Sequence, residues 1–161
     1  MTFRQELIEV PSLISLTSLA FSIPTDEADL MDPQQRIFLE TVWKTIEDSG
    51  YSISELAGSK TGLFVGVGGN DYLELVRDSQ IDIVATTTTG NTHSILANRI
   101  SYLLDLRGPS EPIDTACSSS LVAVNHAIES IHCGSCEMAI AGGVNVLLSP
   151  SLYFAFGTNF S

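Results

Sequence analysis

The stretch Pro112-Ile113-Asp114-Thr115-Ala116-Cys117-Ser118-Ser119-Ser120 decides the fold. Glu111 to Thr115 reads as a brief strand. From about Cys117 to His132, Leu121, Val124, Ile128 and Ile131 recur at offsets of three, seven and ten, the apolar stripe of a helix. The strand ends at Ala116 and the helix begins at once, so Cys117 falls on the turn between them. In a parallel sheet, ligands and nucleophiles gather beyond the carboxyl ends of the strands. A helix N-terminus carries about half a positive charge, which favours thiolate over thiol. Its free backbone N–H groups can stabilise a developing oxyanion. Ala116 and Ser118 to Ser120 are small enough to let a thioester approach. The constellation suits covalent acyl transfer through a cysteine. A plainer reading fits the same residues, a cysteine packed as a small hydrophobe in an α/β core.

Working outward, Asp32-Pro33-Gln34-Gln35 is a helix start, with Asp32 as cap, Pro33 at the first helical position and Gln35 placed as in a capping box. Leu39, Val42, Trp43 and Ile46 continue the helical spacing, and Gly50 supplies a stop. Thr61 to Val67, closed by Gly68-Gly69, reads as a buried strand. Asp71 to Arg77 adds a short helix, and Asn91 to Leu106 a long one with Ile95, Leu96, Ile100, Leu103 and Leu104 on one side. Met138 to Leu148 is a further buried strand. Helices alternating with buried strands predict an α/β domain with a largely parallel sheet. Met1 to Ile23 shows no clean period.

The 161 residues suffice for one domain with a real core. Hydrophobic residues make up 44% and charged residues 16%, which excludes a disordered chain. The net charge is −12, and the seven cations are scattered singly. Nucleic acid and anionic membranes are therefore poor partners. The longest apolar stretch, Leu13 to Ile23, is broken by Ser15, Thr17, Ser18 and Ser22, so no membrane span is expected. Glu6 and Glu9 argue against a signal peptide. Three cysteines are too few for a disulfide scaffold, and a cytoplasmic protein is expected.

Asp114-Thr115-Ala116-Cys117-Ser118-Ser119-Ser120-Leu121-Val122-Ala123 resembles the active-site signature of the β-ketoacyl synthase domains of modular polyketide synthases. Met31-Asp32-Pro33-Gln34-Gln35-Arg36, Thr61-Gly62-Leu63-Phe64-Val65-Gly66, Asn98-Arg99-Ile100-Ser101-Tyr102, Gly108-Pro109-Ser110 and Ala141-Gly142-Gly143-Val144-Asn145 resemble further family segments in the same order. The resemblance implies a thiolase-like fold, a layered α/β structure with a mixed, mostly parallel sheet, of which the chain carries the N-terminal half. Residues 28–161 fall within the resemblance, and residues 1–27 form an irregular, unmatched opening. It implies acyl transfer to Cys117 from an acyl-carrier protein, then decarboxylative Claisen condensation with a malonyl-type extender, in polyketide or fatty-acid biosynthesis. Cys117 is the implied nucleophile, with its own N–H as one oxyanion donor. No metal and no cofactor is implied beyond the phosphopantetheine arm on the carrier. Full-length members are dimers. The family's two histidine motifs, HGTGT-like and NIGH-like, do not occur here, so full turnover is expected to need the C-terminal half, on another chain if need be. The competing expectation is a non-catalytic remnant, an interaction module or an incompletely folded fragment. A stand-alone cysteine thioesterase would need a general base that the sequence does not offer.

Other signals read as structural. His126 stands nine residues after Cys117, roughly 13 Å along a helix, beyond hydrogen-bond reach. His93, His126 and His132 are expected to be ordinary histidines. Cys133-Gly134-Ser135-Cys136 sits at a helix C-terminus, where the dipole opposes a thiolate, so packing is expected rather than redox or zinc chemistry. Gly66-Val67-Gly68-Gly69-Asn70-Asp71 puts an acid where a dinucleotide loop needs its third glycine, and reads as a tight strand exit. Asp26, Glu27, Asp29 and Asp32 read as a solvated acidic face. Leu147 to Phe156 is apolar enough to require a cover.

Overall fold

A computed structural model describes residues 21–79 and 85–149. The expectations for Met1 to Ala20 and for Pro150 onward lie outside the described residues. In chain order the elements are α1 (Thr25–Leu30), α2 (Pro33–Asp48), α3 (Ile53–Leu56), β1 (Thr61–Val67), α4 (Asp71–Asp78), α5 (Ala85–Gly90), α6 (His93–Leu103), β2 (Ser110–Ile113), a single 3₁₀ turn (Ala116–Ser118), α7 (Ser119–His132) and β3 (Met138–Val144). The expected alternation of helix and strand is present.

The described strands form one sheet in the order β2-β1-β3, and both pairs are parallel. β1 is central and buried along its whole length. Its alternation sorts the two faces. Leu63, Val65 and Val67 join Phe38, Leu39 and Val42 of α2 and Leu96, Ala97 and Ile100 of α6 in the larger core. Phe64 points the other way, onto Ala123 and Ala127 of α7 and Ile113 of β2. Each large side chain enclosed in this way contributes about 1.5–3 kcal/mol of apolar burial. Phe21 and Ile23 also belong to the larger core, and the Phe21 ring stands edge-on to Trp43 with centroids 5.1 Å apart.

The start of α2 follows the sequence expectation with one change. Asp32 caps the helix by accepting a 2.8 Å hydrogen bond from the Gln34 N–H, with Pro33 at the first position. Gln35 does not close a capping box. Its side chain donates instead to the carbonyls of Thr89 and Thr92, tying α2 to α5 and α6. Of the acidic cluster, Asp26 is exposed as expected, whereas Asp32 is 2% exposed and Glu27 pairs with Arg99 at 2.6 Å, so these two do not belong to a solvated face. Burial raises the pKa of the Asp32 carboxyl, and the hydrogen bonds from Gln34 oppose the rise. Asp32→Ala is expected to cost about 0.5–2 kcal/mol, read as a lower urea midpoint at constant m-value.

Three boundaries move. α6 stops at Leu103, because Asp105 takes a left-handed conformation at φ 51° and the Leu106 N–H turns back to the Ser101 carbonyl. β2 starts and ends one to two residues early, leaving Asp114 and Thr115 for the turn. β3 ends at Val144 and lies at an edge of the described sheet, only partly covered, rather than running buried to Leu148.

The largest correction concerns α7. Its buried positions are Ser119, Ala123, Ala127 and Ser130, and this narrow small-residue face lies on the sheet. The apolar stripe of Leu121, Val124, Ile128 and Ile131 faces outward, with Leu121 74% exposed. Small residues face inward because the helix approaches β1 and β3 at glycines, where larger side chains have no room. A Cβ placed on Gly66 would sit 2.6 Å from the Ser120 backbone nitrogen, and one on Gly143 would sit 2.9 Å from the Ser120 Cβ.

Candidate active site

Parallel strands bring their carboxyl ends to one edge, and the site is built there. Gly66 to Gly69 leave β1, Asp114 to Ala116 leave β2, and Gly143 to Asn145 leave β3. With Leu147 and the start of α7 they enclose a pocket of about 680 Å³, and Cys117 lies in its lining. Its volume is that of a small-molecule site. The residues lining it are mostly small or aliphatic, which suits an acyl group better than a charged ligand.

Cys117 sits in the 3₁₀ turn, one step before α7 proper, rather than in the helix itself. Its predecessor, Ala116, has φ 56°, a left-handed conformation that costs a residue with a Cβ roughly 1–2 kcal/mol. Short hydroxyl bonds hold that strain. The Ser119 Oγ donates to the Ala116 carbonyl at 2.7 Å and accepts from the Thr115 N–H at 2.9 Å. The Asp114 Oδ1 accepts from the Ala116 N–H at 3.1 Å, and the Ser118 Oγ donates to the Thr115 carbonyl at 2.9 Å. Strained backbone fixed from several sides is characteristic of functional turns. The Cys117 side chain is exposed to the pocket and carries no disulfide.

The histidines are engaged elsewhere. His126 Nδ1 lies 3.1 Å from Glu111 Oε2, and His93 Nε2 lies 2.8 Å from the Gly69 carbonyl. His132 ends α7. The described residues therefore bring no histidine to Cys117 through a hydrogen bond. Among them, no group of three or more His, Cys, Asp or Glu side chains is placed to hold a metal ion. No described helix is long and apolar enough to cross a membrane.

Cys133 caps the end of α7 and is exposed, whereas Cys136 is buried beneath Gly62. Hydrogen bonding with Ser135 lowers the Cys133 pKa despite the unfavourable helix end. In the native chain, iodoacetamide is therefore expected to label Cys133 and to leave Cys136 unmodified. Equal labelling of the two would show that the packing around Cys136 is open.

The sequence reading missed the groups that hold the pocket walls from behind. Gln34 accepts from the Val146 N–H at 3.3 Å and donates to the Gly69 carbonyl at 3.4 Å. The Asp71 carboxylate accepts from the N–H groups of Leu148 and Ser149 at 2.8 and 2.9 Å. Asp71 was legible only as an acid that spoils a dinucleotide loop. No sequence signal marks Gln34 as a bridge over a separation of 112 residues.

Residues 10–159 match the family model described as the N-terminal domain of β-ketoacyl synthase, a span that takes in part of the opening segment left unmatched by the motifs. The chain is 47% identical over 147 residues to the polyketide synthase PksN of Bacillus subtilis, covering 91% of this chain and 3% of that protein. It is 51% identical over 132 residues to 6-methylsalicylic acid synthase of Penicillium terrestre, covering 82% of this chain and 7% of that one. Among solved structures, the ketosynthase from module 6 of the bacillaene synthase of Bacillus subtilis superposes with a TM-score of 0.76 at 40% identity, over 88% of this chain and 23% of that one. The oxazolomycin ketosynthase domain OzmH KS7 of Streptomyces albus superposes with a TM-score of 0.79 at 41% identity, over 88% of this chain and 25% of that one. The chain thus spans about a quarter of these ketosynthase chains and a few per cent of the curated relatives, and its fold is thiolase-like. By motif, sequence and fold, the chain belongs to the β-ketoacyl synthase family and carries its N-terminal domain.

Proposed function

We propose that Cys117 is the acyl-accepting nucleophile of a ketosynthase acting in polyketide or fatty-acid assembly. The observation that carries the reading is the strained, hydroxyl-braced turn that presents this thiol to a pocket at the carboxyl edge of a parallel sheet. The Cys117 sulfur attacks the carbonyl carbon of an acyl thioester held on the phosphopantetheine arm of an acyl-carrier protein. The new S–acyl bond forms, the old C–S bond breaks, and the carrier thiol leaves with the proton that Cys117 gave up. Condensation follows when a malonyl-type thioester loses carbon dioxide and its carbanion attacks the acyl-cysteine carbonyl, forming the new C–C bond and expelling the Cys117 thiolate, which takes a proton from solvent. Within this reading the protein needs no metal and no cofactor of its own. Its free cysteines fit a reducing, cytoplasmic setting.

This domain is proposed to perform the first half-reaction. The histidine motifs that the family uses for decarboxylation and condensation do not occur in these residues. The outward apolar stripe of α7 then has a ready role, as the surface on which the rest of the synthase domain packs, on the same chain or supplied by another, with a homodimer as the expected assembly. The same exposed stripe also favours a second reading, a non-catalytic interaction module docked through α7. Incubation with a short acyl N-acetylcysteamine thioester separates the two. A mass increase of one acyl group on Cys117 supports the nucleophile, and a folded chain that never acylates at Cys117 overturns it.

A further inference from the structure

Two walls of the Cys117 pocket are the short segments that leave β1 and β3, the first of them also tied to α6 by His93 Nε2, 2.8 Å from the Gly69 carbonyl. One is the β1 exit, Gly68 and Gly69, and the other is the β3 exit, Asn145 to Leu147. Gln34 lies behind both. It is 1% exposed, its Oε1 accepts from the Val146 N–H at 3.3 Å, and its Nε2 donates to the Gly69 carbonyl at 3.4 Å and to Asp32 Oδ2 at 3.3 Å. A primary amide is the side chain that offers an acceptor to one loop and donors to another at a single carbon. Gln34 is itself rigid, in the first turn of α2 with its own N–H fixed to the Asp32 cap. Asp71 anchors the far end of the β3 exit independently, at Leu148 and Ser149.

We propose that Gln34 is a positioning residue that fixes the gap between the β1-exit and β3-exit walls and so sets how bulky an acyl group reaches Cys117. The acyl substrate in this statement rests on the function proposed above, and the gap itself does not. Without the amide, the β3-exit loop keeps its Asp71 anchor but loses its tie to the opposite wall. The pocket then widens at the middle of that loop, beside Leu147.

The test compares wild type with Gln34→Met, which keeps length and apolar volume but removes every bridging bond. Each chain is treated with a small thiol reagent, iodoacetamide, and a bulky one, N-phenylmaleimide. Cleavage at glutamate then separates Cys117, on residues 112–129, from residues 130–137, within which fragmentation distinguishes Cys133 from the buried Cys136. The ratio of bulky to small labelling at Cys117 is expected to rise about fivefold, the worth of one ordinary hydrogen bond. The ratio at Cys133, at the other end of α7, stays at the wild-type value. Acylation by hexanoyl relative to acetyl N-acetylcysteamine thioester is expected to rise by a similar factor.

Gln34→Glu supplies a rescue. Its protonated carboxyl offers both a donor and an acceptor, whereas the ionised form is acceptor-only and faces Asp32. Asp71 at the start of α4 and His93 at the start of α6 act electrostatically at Asp32, and Arg36 stands two residues along α2; wild type carried through the same pH series accounts for them. The Gln34→Glu ratio is expected to match wild type at about pH 5 and Gln34→Met at about pH 8. A folded Gln34→Met with the wild-type ratio at Cys117 overturns the proposal. Where Gln34→Met does not fold, a Gln34→Glu ratio independent of pH overturns it equally. Loss of acylation in wild type together with a shifted labelling ratio removes the acyl-transfer reading and leaves the clamp standing.

Discussion

Cys117→Ala is expected to reduce acyl-adduct formation at residues 112–129 to background, while acylation at Cys133 is unchanged. The comparison within one molecule makes the result decisive. Cys133 is exposed, and its hydrogen bonding with Ser135 lowers its pKa, so near neutral pH it holds more thiolate than an ordinary cysteine. Were acylation a matter of access alone, the exposed Cys133 would be labelled as readily as the exposed Cys117. Cys133, however, lines no part of the pocket, whereas Cys117 opens into about 680 Å³ walled by strand ends. A pocket that binds the acyl group converts an encounter into a positioned attack, and each tenfold gain requires about 1.4 kcal/mol of transition-state stabilisation. Acylation at Cys117 at least about tenfold faster than at Cys133 is therefore expected, a margin that one or two oriented contacts can supply. A rate at Cys117 no greater than at Cys133 would mean that the turn presents a thiol without a working site.

The sequence made the strand-to-helix turn legible because every local signal there agrees. The strand closes on Pro112 and Ile113 before Asp114, the small residues cannot fill a core, and the helical pattern begins immediately after Cys117. The α2 cap was legible for the same reason, since Asp32 as cap and Pro33 at the first helical position agree with the helical spacing that follows them. The facing of α7 was not legible. Leu121, Val124, Ile128 and Ile131 form the more hydrophobic stripe, and hydrophobicity normally marks the inward face. Here inward facing is decided by space, since Gly66 and Gly143 admit a helix only through Ala and Ser. Periodicity ranks faces by polarity and carries no information about how closely two backbones approach. Gln34 was illegible for a related reason. Its neighbour Gln35 stands at the capping-box position, and apart from the local bond of Gln34 to Asp32 the partners of both side chains lie 35 to 112 residues away, fixed only once the sheet has assembled.

Gly66→Ala carries that spatial argument to its sharpest consequence. Gly66 stands in the middle of the sheet, paired with Ile113 on one side and Gly143 on the other, and its α7-facing side touches the turn that follows Cys117. The added Cβ would lie 2.6 Å from the Ser120 nitrogen, 2.7 Å from the Ser119 carbonyl carbon and 2.8 Å from the Ser120 Cα. All three are backbone atoms, so no side-chain rotation relieves the clash and the start of α7 must move. Overpacking of this kind costs about 1–3 kcal/mol of stability. The effect on chemistry is expected to be larger, because Cys117 is carried on that same turn and a displacement near 1 Å costs on the order of a hundredfold in rate. Gly50→Ala provides the contrast. Gly50 has φ 83° with nothing within 4 Å of an added Cβ, so the substitution strains the backbone without displacing anything. It is expected to lower stability by about 1–2 kcal/mol and to leave the Cys117 acylation rate untouched. Urea denaturation and the rate of adduct formation, measured on both variants, separate loss of stability from loss of position. Equal acylation rates in Gly66→Ala and Gly50→Ala at matched folded fractions would show that the contact of α7 with β1 does not place the nucleophile.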